Sequence, residues 1–452
     1  MNGMERRWLA FYMLCAGELM IVLDTTVVNV ALPSIQSSLG FSEAALVWVV
    51  NAYMVTYGGL LLLGGRLGDL YGRRRLFLLG TVVFTLASLA CGLAGSQGML
   101  VTARAIQGAG GAVVSAIALS LIMSLFSEPG ERAKAMGVFG FVCAGGGSVG
   151  VLAGGLLTSA LSWHWVFLIN LPIGAAVYAF CMKLLPDDRP ESGSARLDVA
   201  GALSVTASSM LTIYGIVNGQ WWLVAIGAAL LGVFLWIESR VSHPLMPLRL
   251  FRLRSVSSAN ALGVLWAAAM FAWFFISALY MQHALGYDPM QIGLAFLPAN
   301  VIMAVFSIWL SAKLVMRFGL RTPIVAGMAL AAGGLALFAV APSGGSFLAH
   351  VLPGMILLGI GCGMALNPVM LAAMNDVDPA ESGLASGVVN TSFMMGGSLG
   401  LAALASLSEA RGYHVSFAAG AVFDAAAAVF AALLKGKPHA EDHDVPLVRQ
   451  TG

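Results

Sequence analysis

Apolar residues run in stretches of about 20 along the whole chain, separated by short connections that hold most of the arginine. A run of that length suits a helix crossing a ~30 Å hydrocarbon core. A single lipid-exposed run can satisfy its backbone only as a helix. The pattern predicts fourteen spans, at about 8–31, 45–65, 76–95, 98–124, 134–158, 164–185, 198–217, 221–239, 256–283, 290–312, 322–341, 347–373, 383–407 and 414–434. Barrel strands would alternate over about 10 residues, so an outer-membrane β-barrel is excluded. The first run follows Met1–Arg7, is too long for the apolar core of a signal peptide, and contains Glu18 and Asp24. It reads as an uncleaved first span.

Composition agrees. Of 452 residues, 59% are hydrophobic and 10% charged, with a net charge of +2. A soluble domain carries about 25% charged residues, so soluble enzymes and nucleic-acid binders are excluded as readings of the whole chain. Charge also sets the topology. With the N-terminus inside, 21 of the 23 Lys and Arg fall in cytoplasmic connections or tails, Arg411 lies outside and Arg104 within a span. This asymmetry predicts a cell-membrane protein with both termini in the cytoplasm. Segment 240–255 mixes arginine with apolar residues and is expected to anchor in the inner headgroup layer.

The chain repeats itself. Arg66-Leu-Gly-Asp69-Leu-Tyr-Gly72 matches Lys313-Leu-Val-Met-Arg-Phe-Gly319, Gly108–Gly111 resembles Gly359–Gly363, and Gly146-Gly-Ser-Val-Gly150 matches Gly396-Gly-Ser-Leu-Gly400, all at nearly one offset. The expected fold is therefore all-α, with two six-helix halves, spans 1–6 and 9–14, and two inserted helices. The domain limits are 1–185, 186–255 (linker with the inserted helices), 256–435 and a cytoplasmic tail at 436–452. Internal repeats of this kind mark secondary transporters, whose substrate site lies between the repeats near mid-membrane.

Candidate chemistry is confined to polar residues within spans. The five cysteines show no paired spacing, and no metal-ligand constellation exists, so neither disulfide nor metal is expected. The two G-x-S-x-G segments would need a strand-to-helix turn to act as a hydrolase elbow. Within helical runs they are packing seams. Ionisable groups in a span are costly and are functional candidates by default. Here they are Glu18, Asp24, Arg104 and Asp424. At ~1.5 Å per residue, Asp24 lies roughly 24 Å and Arg104 roughly 21 Å above the inner face, so the two can share a depth. Glu18 falls near the midplane. Glu18 and Asp24 are expected to border one wide cavity from different sides of their helix. Asp424 sits on a helix expected to be peripheral, and the sequence assigns it no role. Asn51, Tyr53, Gln107, Asn300, Asn367 and Asn390 are the polar candidates for the cavity wall. Methionines, 23 in all, suit a pliable site or ordinary packing equally.

These residues resemble the fourteen-helix drug:proton antiporters of the major facilitator superfamily. Leu23-Asp-Thr-Thr-Val-Val-Asn-Val-Ala-Leu-Pro33 is similar to that family's first-helix motif, and Gly65-Arg-Leu-Gly-Asp69-Leu-Tyr-Gly72-Arg73-Arg-Arg75 to its loop between helices two and three. Arg104-Ala-Ile-Gln107-Gly108-Ala-Gly110 is similar to its fourth-helix proton-relay motif, and Ser162-Trp-His-Trp-Val-Phe-Leu-Ile-Asn170-Leu-Pro172-Ile-Gly174 to the start of its sixth helix. The resemblance implies proton-coupled efflux of lipophilic or cationic small molecules by alternating access. The alternative is a carrier of one specific solute, a symporter or facilitator. It further implies proton coupling at Asp24, Glu18 and Arg104, a gating loop at Gly65, Asp69, Gly72 and Arg73, and a helix-five seam at Gly146, Gly150, Gly154 and Gly155. No cofactor beyond the proton gradient, no catalytic residue, no nucleic acid, and a monomer in membrane lipid are expected. Two departures stand out. Val151 occupies the place where the fifth-helix motif has proline, and Asn51 stands where the polycation exporters carry an acid.

Overall fold

The computed structural model describes residues 3–126, 128–185, 198–241, 244–342, 344–374, 376–377 and 382–433. The expected linker stretch 186–197 and the tail 436–452 lie outside these residues. Among the described residues there is no strand, and fourteen helices are long and apolar enough to cross a membrane. They are α1 (Glu5–Leu39), α2 (Glu43–Gly68), α3 (Arg73–Gly92), α4 (Gln97–Leu125), α5 (Gly130–Ala160), α6 (Trp165–Leu184), α7 (Val199–Val217), α8 (Trp221–Arg240), α9 (Arg254–His283), α10 (Pro289–Phe318), α11 (Arg321–Ala339), α12 (Phe347–Met374), α13 (Leu384–Arg411) and α14 (Tyr413–Leu433).

Several helices outrun the apolar runs that predict them. The helix containing α1 continues through Pro33 to Leu39, where Gly40 at φ 69° ends it. The left-handed conformation suits glycine. Ser42 then caps α2 by accepting from the Ala45 amide. Span six is broken at Ile169, and a second piece, Asn170–Leu184, begins there. Pro172 is tolerated because first-turn amides have no intrahelical partner. In α10 a π-helical turn over Phe306–Leu310 frees carbonyls, and Asn367 of α12 donates to the Ser307 oxygen at 2.7 Å. A polar side chain thus pairs a group that the irregular turn exposes.

Each half uses the same packing scheme. In the first, α1 packs on α4, α5 and α6, α2 on α4, and α3 on α4 and α6. In the second, α9 packs on α12, α13 and α14, α10 on α12, and α11 on α12 and α14. The halves meet through α2 with α13 and α5 with α10, a pair of contacts exchanged by the internal two-fold. Of the inserted pair, α7 lies against α2 and α13, and α8 packs on α7. Segment 244–252 turns apolar side chains into the protein. Leu245, Met246 and Leu250 are buried, the last two in a cluster with Val205, Phe234, Val256 and Val388. The outward stripes are apolar: Leu79, Leu86 and Leu93 of α3 are 57%, 60% and 63% exposed. Such a surface is suited to lipid and not to water.

The arginine-rich end is braced by side chains. Arg6 donates to the Lys183 carbonyl at 2.8 Å, and Arg74 to that of Met182, capping the last turn of α6. At the opposite end Tyr413 of α14 donates to Glu43 of α2 at 2.7 Å, with His283 of α9 beside both. This contact crosses between the halves.

Candidate functional site

Four helices of the first half converge on Asp24. Its Oδ2 accepts from Arg104 Nη1 of α4 at 2.5 Å. Its Oδ1 accepts from Gln107 Nε2 at 2.7 Å and from Asn170 Nδ2 of α6 at 2.9 Å. Ser88 of α3 accepts from both Gln107 and Asn170 and donates to the Phe167 carbonyl. Arg104 also donates to Gln107 Oε1 at 2.7 Å and, through Nε, to the Val49 carbonyl at 2.9 Å. Its guanidinium lies 4.3 Å from the Tyr53 ring centroid. Asp24 and Arg104 are each 1% exposed, and Gln107, Asn170 and Ser88 are fully buried.

The local sequence explains the convergence. Arg104 and Gln107 are three residues apart and share a face of α4. Gly108 and Gly110 let α4 approach α2 and α3 to backbone contact: a methyl at either position would press on the Tyr53 carbonyl or the Phe84 amide. The break at Ile169 starts a new helix with Asn170 as its first residue. The site is charge-balanced, and every lone pair of Asp24 that the network reaches has a donor. Removing either member of the pair would leave the other as a buried, uncompensated charge.

The expected residues distribute as follows. Asp24 and Arg104, which depth arithmetic put at one level, form an ion pair. Asp24 does not border an open cavity; it is sealed inside the first half. Gln107 and Tyr53, expected on a cavity wall, belong to the network around Arg104, and the Tyr53 hydroxyl is buried without a partner. Asn51 is buried and donates across the interface to the Ser398 carbonyl of α13 at 3.0 Å. Asn300 on α10 keeps Oδ1 unpartnered, facing Gly147 of α5. Asn367 serves the π turn, and Asn390 is half-buried on α13. Glu18 stands apart from the Asp24 cluster, accepting from Ser115 of α4 at 2.8 Å with no cation beside it. Ser88 and Asn170 were not among the expected site residues. Asn170 stands in the quoted sixth-helix motif, but a serine within an apolar run carries no signal by itself.

In the gating loop, Gly72 adopts φ 96° and joins α2 to α3, while its amide caps the Gly68 carbonyl. Gly65 faces Ala116 of α4 across ordinary contact distance. Arg73 opens α3; the Asp69 side chain lies outside the described residues. In α5 the seam has two faces. Gly146, Gly150 and Gly154 press on α1, and Gly155 meets the backbone of Gly293 on α10. The helix runs unbroken through Val151. The four described cysteines, Cys15, Cys91, Cys181 and Cys362, are free and buried.

A fold with this repeat has many relatives. The Major Facilitator Superfamily model matches residues 14–401 and 261–451. The chain belongs to the major facilitator superfamily. It is 41% identical to the puromycin resistance protein pur8 of Streptomyces alboniger, over 89% of this chain and 82% of that protein. It is 37% identical to the cephamycin export protein CmcT of Amycolatopsis lactamdurans, over 97% and 96% of the two chains. The lincomycin resistance protein of Streptomyces lincolnensis is 37% identical over 89% of this chain and 84% of its own. The crystal structure of the nucleoside transporter NupG shares the fold at a TM-score of 0.67, with 11% identity, covering 94% of this chain and all of that one. This is therefore a multi-pass membrane protein of a transporter superfamily.

Proposed function

We propose that the chain exports drug-like small molecules by alternating access, driven by proton entry. The observation that carries the reading is the sealed Asp24–Arg104 pair with its three amide donors and acceptors in one half of a repeated fold. Relatives at 37–41% identity are named for puromycin, cephamycin and lincomycin, three unlike chemistries. That variety supports small-molecule export over a carrier of one solute. The arginine-rich end faces the cytoplasm, as the positive-inside rule requires. The chain works as a monomer in membrane lipid and needs no cofactor beyond the proton gradient.

In this mechanism Asp24 is the group that gains and loses a proton. As carboxylate it holds Arg104, Gln107 and Asn170 together. Protonation removes the charge and weakens each of those bonds, since hydrogen bonds to charged groups are the stronger kind. Arg104 keeps its charge throughout. Its Nε bond to the Val49 carbonyl ties this change to α2, which forms part of the interface with α13. Such a local event can bias one of two packings of the halves. Glu18, near mid-membrane on α1 and bonded to Ser115, is a second contact for a cationic substrate once the halves part.

The test is uptake of a panel of antibiotics and lipophilic cations into inverted vesicles energised by an acid interior. Uptake of several unlike compounds, abolished by a protonophore, is the expected result. Uptake indifferent to the gradient would remove the proton coupling, and uptake of a single compound would favour the specific carrier.

A further inference from the structure

Asp424 is the one acid buried in the spans of the second half. It lies about halfway along α14, roughly 15 Å from either end. It is 2% exposed and its Oδ1 has no partner. The helix packs on α9, α11 and α13. The charged or titratable groups on those helices are Arg254, Tyr280, His283, Arg321, Glu409 and Arg411, each in a first or last turn; Tyr413 and His414 open α14 itself. The thiol of Cys362, on α12, is the titratable group within electrostatic reach.

The place matters as much as the isolation. Glycine contacts align the halves turn for turn. Gly108 meets Tyr53 and Gly359 meets Ala299; Gly110 meets Phe84 and Gly361 meets Ala331; Gly150 meets Thr26 and Gly400 meets Ala268. In that alignment Trp266 stands for Asp24, Met355 for Arg104, Leu358 for Gln107 and Leu335 for Ser88. Asp424 lies one turn beyond Gly420, which meets Leu335 as Asn170 meets Ser88, on the helix that matches α6 and against those that match α1, α3 and α5. It has no cation and no donor pair there. A carboxylate so placed would be an uncompensated charge at mid-membrane. Trp266 Nε1 is also buried, with the Cys362 sulfur beside it in one apolar cluster.

We propose that Asp424 is a second protonation site, belonging to the second half, and that a turnover exchanges a proton there as well as at Asp24. The step is a simple ionisation: the carboxyl O–H bond breaks, the proton leaves to water on one side, and a proton from the other side re-forms it. The inference rests on the proton-coupled reading above.

The experiment uses purified full-length protein in lipid. Infrared difference spectra at neutral pH are compared for wild type, Asp424→Asn and Asp24→Asn. The expected result is a carbonyl band of an un-ionised carboxyl that Asp424→Asn removes and Asp24→Asn keeps. In proteoliposomes, the proton-to-substrate ratio should fall by one in Asp424→Asn and return in Asp424→Glu. Carbonyl intensity that Asp424→Asn leaves undiminished, or an unchanged ratio, would overturn the proposal. Should Asp424→Asn stop net transport, substrate counterflow, which needs no net proton movement, must persist; its loss in folded protein makes the residue structural. A wild type that moves no protons would sink the proton-coupled reading instead, while the infrared band still reports on Asp424.

Discussion

The two halves of the molecule share a packing scheme and differ in chemistry. Both are built on glycines at matching places, and the same helix pairs touch in each. Yet the first half holds an ion pair with amide and hydroxyl partners, where the second holds Trp266, Met355, Leu358 and Leu335, each no more than 1% exposed. Close packing must be kept for either half to fold. A charged network need be kept only where it works. The difference points to the first half as the chemically active one, with Asp424 as the second half's single exception.

The sharpest way to break that comparison is to remove a charge. Asp24→Asn leaves Arg104 buried without its counter-ion. Losing one partner of a buried pair costs about 3–5 kcal/mol. The variant should melt well below wild type in detergent and lose proton-driven export, at least tenfold. Met355→Leu, at the counterpart of Arg104, is a volume-conserving apolar change and should cost under about 1.5 kcal/mol. Melting curves of the two variants check this. Equal losses would mean that the halves are not chemically distinct.

A second pair of variants probes what the halves share. A methyl at Gly400 would collide with the backbone of Ala268, which cannot move without shifting α9 against α13. Gly400→Ala should cost about 1–3 kcal/mol by overpacking. At Gly150 the nearest obstacle is the Thr26 hydroxyl, which can turn away, although the Leu23 carbonyl is also close. Gly150→Ala should therefore destabilise in the same direction but less. Thermal unfolding of both variants measures the order. A neutral Gly400→Ala would remove the argument that close helix contact is the shared requirement.

The sequence makes the halves legible to different degrees. Span count, repeat and inserted pair follow from run length and motif offset, because a bilayer allows only helices for such runs. The Asp24–Arg104 level followed from rise per residue alone. The rest of the network was hidden for a physical reason. Ser88 and Asn170 are ordinary polar residues until the fold turns them inward. The wall expected from Asn51, Tyr53 and Gln107 failed in the same way. Polar residues near mid-membrane can face a cavity, a neighbouring carbonyl or a buried charge, and sequence spacing does not tell these apart. Asp424 was visible as an acid in a span, but only the alignment of the halves shows which pocket it occupies.

The smallest expected effect is at the end opposite the arginines, where the halves touch through side chains. Tyr413 Oη donates to Glu43 Oε1 at 2.7 Å, and His283 Nδ1 lies 2.9 Å from the same hydroxyl. The side chains of His283 and Glu43 are 38% and 24% exposed, so water competes for these contacts. An exposed polar pair contributes under about 1 kcal/mol. That is nevertheless a factor of about five in an equilibrium between two packings of the halves. Tyr413→Phe keeps the ring and removes the hydroxyl that joins α14 to α2, so it should bias the protein towards opening at this end without lowering its melting point measurably. The check is the rate at which an impermeant thiol reagent modifies a cysteine introduced at Ala44, which is buried beside Glu43, compared with and without Tyr413→Phe. A rise of up to about fivefold is expected. An unchanged rate would mean that this end is closed by the α5–α10 and α2–α13 helix faces alone, where Gly155 meets the backbone of Pro289, Met290 and Gly293.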